Sequence, residues 1–117
     1  MALFPAQSKK NEIVYNLFTP DTSIVTMTNQ NTCLYNDKIV IANIIITVNS
    51  ISSGTWTDVG VISHHYQNYI YSPVLNTSSA TIIGEARIDG ATGKLSIYLL
   101  TGVTNTTVDM HFNYYTS

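Results

Sequence analysis

The chain has 117 residues, the usual size of one domain, and a formal net charge of −2. Only five residues are Lys or Arg, so it lacks the basic stripe that binds nucleic-acid phosphates and the cationic amphipathic face that binds membrane surfaces. The longest apolar stretch, Ile39 to Val48, is too short to span a bilayer. Composition therefore predicts that the protein neither binds nucleic acid nor inserts into a membrane.

The surface is expected to be poor in charge. Charged residues make up 10% of the chain, against about 25% in an average soluble protein. Asn, Ser and Thr replace them, at about a third of the residues. This composition suits an extracellular or virion protein that is partly buried in an oligomer or binds polar, uncharged ligands. The single cysteine, Cys33, cannot form an intramolecular disulfide and is predicted to be a small buried hydrophobic residue.

Residues 1–11 show no period and are predicted to be an arm or linker, and residues 12–117 are predicted to be a single β-sandwich domain. Beyond the arm, β-branched and aromatic residues are punctuated by turn residues, and no window has a helical period. The predicted strands are Glu12–Phe18, Ser23–Thr28, Thr32–Tyr35, Lys38–Asn49, Thr55–Ser63, Tyr69–Tyr71, Thr81–Asp89, Lys94–Leu100 and Thr106–Tyr115. Strands at this spacing predict an all-β fold, an antiparallel β-sandwich of jelly-roll type or a barrel.

Two long strands indicate what should be buried. The last strand alternates, which places four residues on the core face: Val108, Met110, Phe112 and Tyr114. The strand Lys38–Asn49 has an apolar core face, but Ile39, Ile41 and Ile45 make its opposite face apolar as well. A strand that is apolar on both faces needs cover on both. A subunit interface is the preferred second cover, and a loop or the N-terminal arm is the alternative.

The sequence contains no catalytic motif. A glycosidase needs two carboxylates that meet in space, and nothing in the spacing of Asp58, Glu85, Asp89 and Asp109 selects a pair. Asp89 is more simply read as the start of a turn with Gly90. Nucleophile-elbow, P-loop and dinucleotide motifs are absent from the sequence. We therefore predict no enzymatic activity, metal or cofactor, and keep a polysaccharide hydrolase as a less favoured alternative.

The segment HHYQNYIYSP, His64 to Pro73, is the best candidate for ligand binding. Aromatic rings stack on the apolar faces of sugars, imidazole and amide groups bond to sugar hydroxyls, and tyrosine gives contact area at low entropic cost. A long loop on a rigid β scaffold is a common binding position. The candidate residues are His64, His65, Tyr66, Asn68 and Tyr69. In the alternative interpretation, Tyr69 and Tyr71 alternate on a short strand and Tyr71 fills the core.

Three more residues complete the predicted site, namely Trp56, Asp58 and Arg87. Trp56 is either a core or interface anchor or a platform for a ligand. Asp58 lies on the same strand as Trp56. Arg87 is the only arginine and lies on the presumed polar face with Glu85 and Asp89, where it either makes cross-strand ion pairs or bonds to a polar ligand.

The order of motifs from Lys38 to the end resembles the distal head domain of bacteriophage tail-fibre and baseplate receptor-binding proteins. A long hydrophobic strand is followed by a Trp-containing strand, a loop that runs to a Pro, a Gly-containing strand, a Gly turn with a short strand, and a last strand ending in aromatic residues. In this sequence the corresponding segments are Ile39–Val48, SSGTWTDVGVIS, HHYQNYIYSP, IIGEARID, GATGKLSIY and HFNYYTS.

This resemblance implies a homotrimer at the phage tail tip or baseplate that adheres to the host by binding a cell-surface saccharide, without catalysis. It also implies contacts with other tail or baseplate proteins and a virion location. The alternative is a structural domain for fibre or baseplate assembly that makes no direct contact with the receptor. The resemblance itself assigns no binding residue, so the predicted site rests on the residues alone.

Overall fold

A computed structural model describes residues 12–116, and the predicted arm of residues 1–11 lies outside the described part of the chain. The described residues form nine strands and no helix: β1 (Ile13–Tyr15), β2 (Phe18–Pro20), β3 (Val25–Tyr35), β4 (Ile39–Ile51), β5 (Thr57–Ile62), β6 (Ile70–Asn76), β7 (Thr81–Ile88), β8 (Lys94–Leu99) and β9 (Val103–Tyr115). They make one antiparallel, curled sheet in the order β1-β3-β4-β9-β6-β7-β8-β5-β2. The all-β prediction is confirmed.

One hydrophobic core lies inside the curled sheet, because alternate residues of every long strand point inward. The inward residues of β9 that alternation predicted are buried, and so are those of β4. From the other half of the sheet, β7 contributes Ala86 and Ile88, and β8 contributes Leu95, Ile97 and Leu99. Cys33 is buried at 7% exposure, as predicted.

The side chain of Gln30 joins the two ends of the sheet. Its Oε1 accepts the Phe18 backbone N–H at 3.1 Å, and its Nε2 donates to the Phe18 carbonyl at 2.8 Å. Beside it, Thr32 Oγ1 accepts the Leu17 N–H at 2.8 Å and donates to Gln30 Oε1 at 2.7 Å. The amide thus takes the place of a peptide unit between β3 and β2, which curls the sheet around its core.

Several strand boundaries differ from the prediction. The predicted strand Glu12–Phe18 is divided into β1 and β2, because Asn16 adopts a left-handed conformation with φ of 60°. Ser23–Thr28 and Thr32–Tyr35 are instead the single strand β3, whose polar middle pairs in register with β4. The predicted strand Tyr69–Tyr71 continues as β6 to Asn76.

The outer side of β1, β3, β4 and β9 is a partly apolar surface, which we call the second face. Its most apolar part consists of Tyr15, Tyr35, Ile39, Ile41 and Tyr115, all between 37% and 68% exposed. Between them and Asp109 lie the side chains of Asn43 and His111, which are paired across β4 and β9. Within residues 12–116 no loop covers the exposed isoleucines, so the second cover expected for β4 is not supplied by this part of the chain.

Candidate ligand-binding site

The centre of the candidate site is Arg87, whose guanidinium lies between two aromatic rings. Its Cζ is 4.1 Å from the Trp56 ring centroid and 4.6 Å from the Tyr69 ring centroid. Both distances fall within the range of about 6 Å in which a cation is attracted to an aromatic face. Three predicted site residues from distant parts of the chain therefore meet on the outer side of β7.

Two further tyrosines extend this stack on either side. The Tyr98 ring lies 5.5 Å from Trp56, and the Tyr71 ring lies 6.2 Å from Tyr69. We call the five residues Trp56, Tyr69, Tyr71, Arg87 and Tyr98 the aromatic patch. Tyr69 and Tyr71 are about half exposed, at 45% and 51%, so a ligand can reach the rings. An exposed cluster of rings around one cation combines apolar contact area with hydrogen-bond donors.

The strand register explains why these side chains lie side by side. Tyr71 of β6 is opposite Arg87 of β7, Arg87 is opposite Ser96 of β8, and Ser96 is opposite Asp58 of β5. Opposite residues in an antiparallel pair point to the same face, and neighbouring strands are about 4.8 Å apart. The four residues therefore form a line across the sheet, which begins with an aromatic ring and ends with a carboxylate.

Asp58 is held at the end of this line by two neighbours. Its Oδ1 accepts a hydrogen bond from the Ser96 hydroxyl at 2.5 Å, and its Oδ2 lies 3.9 Å from Lys94 Nζ. The Asp58 and Lys94 side chains are more than half exposed, so this ion pair contributes little stability. Asp58 and Lys94 also line an open groove of about 260 Å³ between β5 and β2. A carboxylate oriented in this way can accept hydrogen bonds from ligand hydroxyls.

Arg87 does not make the ion pairs that the sequence suggested. Within the described residues no carboxylate lies within 4.0 Å of its nitrogens, although Glu85 is on the same face of β7. The physical reason is that the flat guanidinium is taken up by two rings, one on each side. The guanidinium N–H groups are hydrogen-bond donors that a ligand could use.

The structure corrects the alternative position of Tyr71 and narrows that of Trp56. Tyr71 does not fill the core, because Ser72 and Val74 are the residues of β6 that are buried. Tyr71 belongs to the outer face, where it extends the aromatic patch. Trp56 is half-buried beside Arg87 and is not part of the core, which leaves its roles as an interface anchor or a ligand platform as predictions. Tyr98 was not predicted, although alternation in KLSIYL pointed to it, since Leu95, Ile97 and Leu99 occupy the opposite face.

The remaining predicted residues belong to the loop between β5 and β6. His64 is exposed and has a φ of 60°, and its carbonyl accepts a hydrogen bond from the Tyr114 hydroxyl at 3.0 Å. His65 Nδ1 lies 2.7 Å from the Gly90 carbonyl. Tyr66 is half-buried against the core, and Asn68 is exposed. His64, His65 and Tyr66 therefore anchor the loop, while Tyr69 alone brings its ring to the stack.

Tyr66 also lines an apolar groove that is separate from the aromatic patch. Ile70, Tyr114 and Tyr115 complete this groove, which has a volume of about 250 Å³. It lies where β6 and β9 separate, because the two strands are paired only at Leu75–Asp109 and Asn76–Val108. Burial raises the pKa of the Tyr114 hydroxyl well above its ordinary value near 10, so this side chain is neutral at physiological pH.

The four carboxylates considered for catalysis lie at three places in the sheet: Asp58 on β5, Glu85 and Asp89 on and just after β7, and Asp109 on β9. Asp89 begins the β7–β8 turn, as predicted, because its Oδ1 accepts the Ala91 N–H at 2.8 Å and its carbonyl accepts the Gly93 N–H at 2.8 Å. Asp109 is on β9, 3.1 Å from Nε2 of the exposed His111. Glu85 is exposed on β7. Among residues 12–116 no group of three His, Cys, Asp or Glu side chains could hold a metal ion.

Comparison with protein-family models and with curated proteins gave no match to this chain. The part of the chain that the structure describes contains no helix long and apolar enough to cross a membrane.

Proposed function

We propose that this chain is a non-enzymatic receptor-binding head of a bacteriophage tail fibre or baseplate, which recognises carbohydrate on the host cell surface through the aromatic patch. The observation that carries the proposal is Arg87, stacked between Trp56 and Tyr69 with no carboxylate partner among the described residues. A sugar presents apolar C–H faces and a rim of hydroxyls. The patch offers it ring faces, guanidinium donors and, at Asp58, acceptors.

The geometry supports recognition without catalysis. Tyr71, Arg87 and Tyr98 of the patch lie on regular strands, where the register places them beside cross-strand neighbours. Trp56 and Tyr69 lie immediately before β5 and β6. The line of residues across β6, β7, β8 and β5 spans three strand spacings, about 14 Å in all. An open surface of this length fits several units of a polymer better than one small substrate in a cavity.

The proposal includes a homotrimer that assembles through the second face. Each chain would form a β-sandwich head domain. Ile39 and Ile41 are 40% and 37% exposed on a strand whose inner face is already buried. Exposed apolar surface of this kind marks interaction sites in soluble proteins. Three aromatic patches on one rigid head would add avidity to weak individual sites.

The second face also favours a second candidate function, a structural domain of the virion fibre or baseplate. In that case the exposed isoleucines would contact another tail protein, and the aromatic patch would also bind protein instead of carbohydrate. Replacement of Tyr69 by Ala would then leave adhesion to cells unchanged and block incorporation into particles.

Binding to bacterial surface polysaccharides tests the main proposal. The purified chain is applied to an array of cell-wall and capsular polysaccharides, and hits are confirmed by isothermal titration. We expect Arg87→Ala to abolish detectable binding, because it removes the hydrogen-bond donors and opens the stack. Lys38→Ala is the matched control, since it also removes one positive charge but lies in the turn between β3 and β4. Equal binding by both variants, or none by the wild type, would contradict the proposal.

A further inference from the structure

The loop between β5 and β6 determines where Tyr69 lies. Tyr69 is the last residue before β6 begins at Ile70, and its ring covers one side of the Arg87 guanidinium. The other side is covered by Trp56, which comes from before β5 and does not belong to the loop. The complete stack therefore needs the loop to hold one conformation.

A side chain of the loop is bonded to the turn between β7 and β8. His65 Nδ1 lies 2.7 Å from the carbonyl oxygen of Gly90. Because a carbonyl only accepts hydrogen bonds, Nδ1 must carry the hydrogen and donate it. Both the neutral ring with this tautomer and the protonated ring can make the bond. The loop is thus tied to the turn that follows the strand of Arg87.

The same turn is packed against the loop with no room for a side chain. A Cβ added to Gly90 would overlap the Gln67 carbonyl group and would lie 2.6 Å from the Asn68 backbone nitrogen. A Cβ on Gly93 would lie 2.7 Å from Cδ2 of the His65 ring. Both approaches are closer than real Cβ atoms show, so the two glycines permit the loop to pack on the turn. The contact reaches the backbone immediately before Tyr69.

We infer that His65 is a positioning residue, which locks the loop onto the Gly90–Gly93 turn and so holds Tyr69 against Arg87. This role of His65 in the geometry of the stack stands independently of any ligand, whereas its effect on binding rests on the proposed function. His65 itself does not need to contact the ligand. Removal of its hydrogen bond should release Tyr69 and open one side of the guanidinium.

The single tryptophan makes this inference measurable without a ligand, because Trp56 reports only on the stack. For His65→Leu we expect a red shift of the Trp56 emission maximum and a larger acrylamide quenching constant. His65→Asn should restore the wild-type spectrum, because an Asn amide can donate a hydrogen bond from nearly the position of Nδ1. His64→Asn is the matched control, since His64 is exposed and Asn tolerates its left-handed backbone.

Gly90→Ala tests the same role by a steric route and keeps His65 in place. It should displace Gln67 and Asn68 and shift the Trp56 emission in the same direction as His65→Leu. If both variants fold, as judged by circular dichroism, and both keep the wild-type emission and quenching, the inference is wrong. If His65→Asn shows the same Trp56 emission and quenching as His65→Leu, the hydrogen bond to Gly90 does not hold the loop. The positioning role of His65 is then wrong.

Polysaccharide binding separates this inference from the proposed function. If His65→Leu shifts the Trp56 emission while the wild-type chain binds no polysaccharide, His65 positions Tyr69 and the proposed function fails. If the wild type binds and His65→Leu binds equally well with an unshifted spectrum, the proposed function stands and the positioning role fails. When both hold, His65→Leu should show both the spectral shift and a loss of affinity, and His65→Asn should show neither.

Discussion

The two outer surfaces of the curled sheet differ in chemistry although they are built by the same alternation. The aromatic patch presents four rings around one arginine, and within the described residues its cation has no carboxylate partner. The second face presents isoleucines, tyrosines and amides, and on it Asp109 Oδ1 lies 3.1 Å from His111 Nε2. Rings with free donors suit a polar ligand, whereas exposed isoleucines suit another protein surface. The inward residues beneath both surfaces pack in one core. The two surfaces therefore differ only in their outward residues.

The largest effect is expected where the two ends of the sheet are joined. Gln30→Ala would leave the Phe18 N–H and carbonyl without their partners at a half-buried position. We expect a loss of about 2–4 kcal/mol in the free energy of unfolding, since each unsatisfied group costs roughly 1–3 kcal/mol. Urea unfolding followed by circular dichroism measures this. The control is Asn29→Ala, which removes an exposed amide from the same strand and should change stability by less than about 0.5 kcal/mol.

A pair of exposed tyrosines compares the two surfaces directly. Tyr69→Ala removes one side of the Arg87 stack and should weaken polysaccharide binding about tenfold, which corresponds to about 1.4 kcal/mol. Tyr115→Ala removes an exposed tyrosine from the second face and should leave the affinity per site unchanged. Isothermal titration gives the affinity per site. Equal losses for both variants would contradict the assignment of binding to the aromatic patch.

Alkaline unfolding tests the contact that connects β9 to the loop. Burial raises the pKa of Tyr114 in the folded state, so the unfolded chain releases this proton first. The contribution of Tyr114 is therefore fully present below pH of about 10 and decreases above it, by up to about 1.4 kcal/mol per pH unit. Urea midpoints at several pH values should show a steeper loss for wild type than for Tyr114→Phe. Tyr115→Phe, at an exposed position, should retain the wild-type slope.

The smallest effect on stability is expected for a substitution on the second face. The same substitution should change the mass of the protein in solution. Ile41 is 37% exposed, so Ile41→Lys should change the free energy of unfolding by no more than about 0.5 kcal/mol when both proteins are compared at a dilution at which they are monomeric. Light scattering should give three times the 12.9 kDa chain mass for the wild type and a single chain mass for the variant. A wild type that is monomeric at micromolar concentration would remove the trimer from the proposal and leave the aromatic patch as a single site.

Alternation and turn chemistry were sufficient to predict much of the fold. The buried residues of β9 and β4 follow from period-two patterns, and the Asp89–Gly93 turn follows from its residue types. The middle of β3 was missed because Asn29, Gln30 and Asn31 are poor strand formers. They pair in register with Ile45, Ile44 and Asn43 of β4, and tertiary pairing overrides their local preference.

The candidate site was predicted in part, for a similar reason. The sequence indicated Trp56, Tyr69 and Arg87 as separate candidates but carried no signal that they stack. It also suggested ion pairs for Arg87, because Glu85 and Asp89 are its neighbours in the chain. The register of β6, β7, β8 and β5 decides otherwise, since it sets which outward side chains are adjacent. Sequence distance gives no measure of that adjacency.

By itself, the sequence determined the all-β class, the core-facing residues of the long strands and the excess apolar surface on β4. These follow from the alternation of side chains along a single strand, a local property that each segment carries alone. Only the tertiary structure decided how the ends of the sheet join through Gln30 and which residues surround Arg87. Those contacts depend on strand order and register, which arise when segments distant in the chain bury a common core.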